Sequence, residues 1–258
     1  MPAVRNTVVV LAHQDDELGM LSRIAYETAR GERVWCAYLT DGASRVPAVV
    51  RDAESRAVLE RAGVPPQRIG FVGTPRIADG TLFAHTAAAL ASLLAWAAPI
   101  DAIDRVYAPD WEGGHVDHDA AHLVALAFAR ERGAGETYAF SLYNAWRRPR
   151  RLFRVTSFVP GSAPVLRRRL SLREALAPVA EMARYPSQRS TWLGLAPGFA
   201  LRAIVRREER LRRADPARVR ERPHPGALLY ESMFGVPSAD VMDATAELRA
   251  SLSDPSRR

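Results

Sequence analysis

Residues 7–12 (Thr-Val-Val-Val-Leu-Ala) are an almost wholly apolar, β-branched run that ends abruptly at His13-Gln14-Asp15-Asp16-Glu17. A short run without polar alternation is expected of a strand covered on both faces, and such strands belong to parallel sheets flanked by helices. A helical pattern starts at Leu18, with Leu18, Leu21, Ala25 and Ala29 on one face and Gly31 as its stop. The order strand, polar turn, helix then recurs. Strands are predicted at 34–39, 69–72 and 105–108, and helices at 49–62, 86–98 and about 117–132. This alternation predicts an α/β fold: a doubly wound, mostly parallel, Rossmann-like sheet with helices on both faces. No Gly-x-Gly-x-x-Gly follows the first strand, which argues against a dinucleotide site.

Beyond Thr137 the pattern changes. Strands of a more antiparallel kind are predicted at 137–144 and 152–159. Ser171-Leu172-Arg173-Glu174 is a capping box opening a helix that Pro178 should kink, and Tyr185-Pro186-Ser187-Gln188 should break it. A basic helix is expected at 201–213, a short strand at 227–231 and a frayed tail from Ser251. The division predicted is a core at 1–145 and a C-terminal α+β extension at 146–258, packed on the core as part of the same domain.

Bulk properties set the class. The 258 residues are 48% hydrophobic and 25% charged, as in soluble globular proteins, and no apolar run reaches the roughly 20 residues of a membrane span. The N-terminus enters the first strand almost at once, so no signal peptide is expected, and the single cysteine, Cys36, falls in a predicted buried strand. A cytoplasmic location is the expectation. Net charge is +7 and all 36 basic residues are arginine, crowded at 147–154, 167–169 and 202–222. Glu208 and Glu209 interrupt the last cluster and no aromatics are interleaved, so no nucleic-acid partner is expected. A solvated, partly ion-paired face is the default reading; peripheral association with an anionic membrane surface is the alternative.

Imidazole and carboxylates at a strand end lie where an open α/β sheet places its chemistry. The plain alternative is a turn in which Asp16 caps the next helix. A second cluster, His115-Val116-Asp117-His118, weakens that alternative. A catalytic zinc takes about three protein ligands and keeps one position open. His13 and Asp16 supply two from one loop and His118 a third; the set suits Zn²⁺, and other divalent transition metals also fit. Asp15, not neutralised by metal, is then the candidate general base. His115, protonated and oriented by Asp117, is the candidate partner of a tetrahedral oxyanion. Glu17 is expected to cap or orient the loop, His122 to be packed or solvated, and His85 and His224 to lie at the surface or in packing. No Gly-x-Ser-x-Gly elbow supports a serine nucleophile.

The two stretches together resemble the PIG-L/LmbE-like family of zinc-dependent N-deacetylases. Its first signature, Ala-His-Pro-Asp-Asp-Glu, stands here as Ala12-His13-Gln14-Asp15-Asp16-Glu17, and its second, His-x-Asp-His, as residues 115–118. The likeness takes in Leu39-Thr40-Asp41-Gly42, the Arg51/Glu54 helix and Asp79-Gly80, and so covers residues 5–145. It implies a hydrolase that removes acetyl from an N-acetylated amino-sugar conjugate of the N-acetylglucosamine type; the arginine-rich second half adds the expectation of a conjugate larger than the monosaccharide, anionic or lipid-linked. It assigns His13, Asp16 and His118 as metal ligands, Arg51 and Asp79 as contacts to sugar hydroxyls, and Asp41 as a brace. The plain alternatives are Arg51 pairing with Asp52 or Glu54, and Asp79 serving a turn. Two departures stand out. Gln14 replaces the usual proline, which should loosen the loop without removing a ligand. Gly113 and Gly114 stand where some members carry a carbonyl-polarising tyrosine, and Trp111 cannot replace it, so any such group must come from elsewhere. An amidase acting on another N-acyl substrate, such as a thiol conjugate, and a catalytically silent glycan- or polyanion-binding protein are the other readings.

Overall fold

The first strand, β1 (Asn6–Leu11), is buried at every position, and its side chains alternate between two layers. Val8 and Val10 join one apolar cluster, Val9 and Leu11 the other. The computed structural model describes residues 4–43, 46–148, 152–161 and 163–253. Arg150 and Arg151 of the first arginine cluster and residues 254–258 of the tail lie outside them.

After β1 come α1 (Leu21–Ala29), β2 (Arg33–Tyr38), α2 (Ala48–Arg61), β3 (Ile69–Phe71), α3 (Thr86–Trp96), β4 (Arg105–Pro109), α4 (Val116–Glu131) and β5 (Glu136–Phe140). Then follow β6 (Tyr143–Asn144), β7 (Arg154–Val155), β8 (Val165–Arg169), α5 (Leu172–Glu181), α6 (Arg189–Val205) and β9 (Glu208–Arg213). The helices α7 (Leu229–Met233), α8 (Ser238–Ala244) and α9 (Ala246–Ser253) complete the described residues. One sheet carries the order β3-β2-β1-β4-β5-β9-β8; the first five strands are parallel, and β9 and β8 are added antiparallel. This is the doubly wound α/β sheet that the sequence predicts.

Ala89 and Leu93 of α3 and Ala120, Val124 and Phe128 of α4 cover one face; Met20 and Ile24, around the start of α1, and Leu59 of α2 cover the other. The strand order reverses between β1 and β4, with β2 on one side of β1 and β4 on the other. At such a switch point the loops leaving the two strands diverge to opposite faces and open a crevice at the carboxyl ends. His13 leaves β1 and His115 follows β4, so sheet topology alone brings the two polar clusters together.

The C-terminal half departs from the sequence expectations in several places. β5 pairs parallel with β4 and is the fifth strand of the core sheet, not part of an antiparallel extension. Of the strand expected at 152–159 only Arg154–Val155 pairs, with β6. The basic helix expected at 201–213 is two elements. α6 runs from Arg189 through Gly194, Pro197 and Gly198, residues that mark breaks in isolation, and Glu208–Arg213 is a strand. Six helix-favouring residues become β9 because β5 on one side and β8 on the other supply paired edges, and packing overrides propensity. β8 carries no clear sequence signal. The strand expected at 227–231 is instead helix α7, and Ser251 lies within α9. The capping box at Ser171 is formed, and α5 ends three residues after Pro178.

Leu211 of β9 is buried within the sheet core, and Leu252 of α9 packs on Leu123 and Leu126 of α4. If residues after β7 belong to the same folding unit, Leu211→Ala should lower stability by about 2–5 kcal/mol in a single cooperative denaturant transition. A separate early transition, with the main one unmoved, would show the extension to be an independent unit.

Candidate active site

The loop after β1 is fixed by its own carboxylates. Asp16 Oδ2 accepts from the Ala12 and His13 backbone N–H groups at 3.0 and 2.8 Å, which folds the loop back onto the strand end. Asp16 does not cap α1; it lies in a single 3₁₀ turn (Asp16–Gly19) that precedes the helix. The turn forces Asp15 to φ 126°, a backbone region that costs a non-glycine residue of order 1–3 kcal/mol. Glu17 offsets this by accepting the Asp15 N–H at 2.9 Å, and its other oxygen is held by the Tyr185 hydroxyl from the turn before α6. Gln14 is not loose: its amide donates to Asp52 Oδ1 at 2.7 Å, and its carbonyl accepts from Arg51.

The second cluster opens α4, whose residues from Val116 to Ala129 are all buried. Asp117 does not orient His115 through its carboxylate. That carboxylate accepts from the Gly80 and Leu82 N–H groups at 2.6 and 2.9 Å and from His13 Nε2 at 3.0 Å. His115 Nδ1 instead accepts the Asp117 backbone N–H at 3.2 Å, so the ring proton resides on Nε2. Burial, with the charge on His13 added, pushes the His115 pKa down to about 3, so the ring is neutral rather than the imidazolium expected.

His118 Nε2 meets Asp16 Oδ1 at 2.9 Å, and His13 Nδ1 lies 3.7 Å from Asp16 Oδ2. Among the described residues two sets of three candidate donors lie close together: His13/Asp16/His118 and His13/His115/Asp117. The first fits a metal better. Asp16 Oδ1 takes no backbone hydrogen bond, and Asp117 on His13 Nε2 is the outer partner that a ligating imidazole needs to present Nδ1. In the second set both oxygens of Asp117 and Nδ1 of His115 are already occupied by backbone donors. The electrostatics also favour a cation. Burial alone would lower His13, yet Asp79, Asp117 and Asp16 around it raise its pKa well above normal. Burial would raise Asp16, but His118 and His13 hold it ionised, well below the carboxylate range.

Asp15 is beside Arg51, Nη2 to Oδ1 3.2 Å; burial pushes its pKa up to about 8 against that arginine's charge, with Asp16 adding to the rise. Arg51 is buried and pairs with neither Asp52 nor Glu54. It donates to the Gly42 (2.5 Å) and Gln14 carbonyls and lies 3.8 Å from Asp79. A side chain at Gly42, φ 58°, would collide with both Gln14 and Arg51. Asp79 Oδ1 lies 3.2 Å from His13 Nε2, and Asp41 Oδ1 accepts the Asp79 N–H at 3.1 Å, so Asp41 does brace the loop. His122 is packed, donating to the Pro109 carbonyl at 2.8 Å; His224 meets the Trp146 ring edge-on; His85 is exposed.

His13, Asp15, Asp16, Arg51, Asp79, His115 and His118 all line one cavity of about 410 Å³. The rest of its wall includes residues that no motif announced: Tyr143 on β6, Trp192, Leu195 and Phe199 on α6, and Phe234 and Val236 after α7. The Tyr143 ring lies 5.3 Å from that of His118, and burial, then Asp16 and Asp15, keep its hydroxyl protonated. Glu112 sets this loop by accepting from Ser141, Leu142, Tyr143 and Asn144. Gly114 is required because a Cβ there would strike the Tyr143 carbonyl. A phenol therefore enters from β6, where the glycines before the second cluster carry none.

Residues 8–129 match the family model described as PIG-L: GlcNAc-PI de-N-acetylase. No curated protein matches the chain. Among solved structures, the chain is similar to the A40926 pseudoaglycone deacetylase (TM-score 0.60, 18% identity, covering 81% of this chain and 96% of that one). It is also similar to teicoplanin deacetylase in its zinc-inhibited form (0.57, 14%, 81% and 99%). A third is N,N′-diacetylchitobiose deacetylase from Pyrococcus horikoshii (0.51, 16%, 81% and 83%). These likenesses establish the fold.

The hydrogen bond from His13 to Asp117 gives a test. Asp117→Asn should keep the fold by circular dichroism while weakening Zn²⁺ affinity about 10–100-fold in a competition titration, the usual effect of losing an outer partner. Unchanged affinity would remove Asp117 from the support of the ion.

Proposed function

We propose, taking residues 8–129 as a PIG-L family domain, that the protein is a metal-dependent hydrolase that releases acetate from an N-acetylated amino-sugar conjugate. The observation that carries the reading is the meeting of His13, Asp16 and His118 with Asp15 and His115 in one cavity at the switch point of the sheet. His13, Asp16 and His118 would hold a Zn²⁺ ion, which when bound supplies a Lewis acid that activates water and polarises a carbonyl.

The chain's own groups divide the remaining work. Asp15 is the proton acceptor: its strained backbone, the Glu17 clamp and Arg51 fix its carboxyl at the cavity wall, and a cation held beside it by Asp16 would draw its pKa down from about 8 so that it can accept a proton. The proton it takes is then available for the departing amine. Neutral His115 presents Nε2–H as a donor to the oxygen that gains negative charge, and the Tyr143 hydroxyl is a second donor. Asp117 keeps His13 in one tautomer and orientation. Arg51 spends its hydrogen bonds on the loop, so of the two expected sugar contacts Asp79, partly exposed in the cavity, is the better placed.

The apolar wall of Trp192, Leu195, Phe199 and Phe234 supports a substrate larger than a free monosaccharide, with an apolar or lipid-linked part beyond the sugar. A screen of N-acetylglucosamine conjugates for released acetate by the zinc-loaded protein tests the reading. Turnover should be slower on free N-acetylglucosamine than on a conjugate with an apolar aglycone, and no release from any N-acetylated sugar would overturn it.

Variants separate the roles. His118→Ala should lose bound zinc and activity together, because two protein ligands hold a catalytic ion poorly. Asp15→Asn should keep near-stoichiometric metal while its rate falls by about 10²–10⁴. His115→Ala and Tyr143→Phe should keep metal and lose mainly kcat, since their contacts form only in the transition state. A zinc-free or fully active Asp15→Asn protein would mean the base is misassigned.

A further inference from the structure

Helix α6 is apolar on two opposite sides. Trp192, Leu195 and Phe199 face inward, where they line the cavity and pack against Leu18, Leu21 and Val58. On the outer side Leu193 is 80% exposed, Leu201 66%, Ile204 58% and Val205 66%. With Pro197 between them, Leu193, Leu201 and Val205 recur at spacings of four, with Ile204 three after Leu201, so they form one stripe about 18 Å long. Soluble helices put charge on such a face, and a stripe of this kind marks an interaction surface. Phe234, which lines the cavity, is also 50% exposed.

The C-terminal end of the stripe is strongly basic. Arg202 lies in the last turn, Arg206 and Arg207 follow it, and Arg167 of β8 and Arg210 of β9, two strands paired antiparallel, stand beside them. Glu208 is shared between Arg167 and Arg210 at 3.4 and 3.7 Å, and neither Arg206 nor Arg207 has an ion pair among the described residues. Arg202 Nη2 and Arg210 Nε are buried without a hydrogen-bond partner. Burial, with Arg210 and the neighbouring arginines adding to it, lowers Arg202 to about 10.

We propose that α6 docks the protein on an anionic lipid bilayer, with the Leu193–Val205 stripe entering the headgroup–acyl boundary and the exposed Arg206 and Arg207 taking lipid phosphates. Apolar side chains bounded by guanidinium groups match the two layers of a membrane surface. A second copy of the chain is a poorer occupant, since α6 carries no acidic residue and has arginine at both ends (Arg189; Arg206 and Arg207), so either two-fold arrangement would set arginine against arginine. Among the described residues no helix is long and apolar enough to cross a membrane, so the contact is peripheral. Because α6 is also a wall of the catalytic cavity, docking would bring that cavity to the lipid surface. The binding itself is independent of the deacetylase reading.

The test is co-sedimentation of the full chain with phosphatidylcholine vesicles, with and without about one-third phosphatidylglycerol. The protein should pellet only with the anionic vesicles, and less as salt rises. Leu201→Asp/Ile204→Asp and Arg206→Ala/Arg207→Ala should each lower the bound fraction about tenfold or more, because each basic contact near an anionic surface is worth about 1 kcal/mol and buried apolar contacts are worth at least as much. Their thermal unfolding midpoints should match the parent, since the replaced side chains are exposed, and Val4→Asp, at an exposed position near the N-terminus, should bind like the parent. No pelleting, equal pelleting with neutral vesicles, or loss in neither double variant or in the arginine pair alone would overturn the proposal. So would a dimer in solution that Leu201→Asp dissociates, which would assign the stripe to a second copy. Inorganic phosphate that displaces the protein completely from anionic vesicles at constant ionic strength would reduce the surface to a free-anion site and equally overturn it.

Discussion

The site depends on two buried carboxylates, each accepting two backbone N–H groups and facing an imidazole. Asp16 ties the loop after β1 to its own strand end and reaches His118. Asp117 ties the start of α4 to the 80–82 loop and reaches His13. Each cluster thus supplies a carboxylate to a histidine of the other, across a gap that sheet topology has already closed. Buried carboxylates carry a large desolvation cost unless they are hydrogen-bonded and paired, so the two loops are stable mainly in this mutual arrangement. Four further polar groups, Asp15, Glu17, Asp79 and Arg51, are arranged around that crossing.

What the sequence carried was the local part. The apolar run of β1, its abrupt polar end and the strand–helix alternation up to α4 announce a parallel sheet, because each signal is contained in a few consecutive residues. The polar residues of the two clusters are legible for the same reason. What they do to one another was less so. Asp117 follows His115 by two positions and invites pairing with it, yet at the first turn of a helix its backbone N–H meets that ring while its carboxylate reaches His13. Sequence neighbours compete with partners a hundred residues away, and local spacing cannot decide that competition.

The second half was read less well because its elements are defined by partners, not by propensity. Glu208–Arg213 carries helix-forming residues and becomes a strand because the edge of β5 is open to it. α6 continues through a proline and two glycines because the cavity wall and Leu18, Leu21 and Val58 hold it. Tyr185, which reads as part of a helix break, is the hydroxyl that grips Glu17 and through it the strained Asp15. Tyr143 reaches the cavity through four hydrogen bonds to Glu112 that have no motif. Residues after 145 thus touch the site: Tyr185 holds the first loop from behind, and Trp192, Leu195, Phe199 and Phe234 line the cavity.

The central claim is that the crossing of Asp16 and Asp117 builds one cation site from His13, Asp16 and His118, with Asp15 and His115 left free beside it. Anomalous diffraction from crystals of the zinc-loaded protein tests it most directly. The account predicts a single ion bonded to one nitrogen each of His13 and His118 and to an oxygen of Asp16, with Asp117 still hydrogen-bonded to His13 and Asp15 outside bonding distance. An ion held by His115 and Asp117, or one that takes Asp15 in place of Asp16, would contradict it.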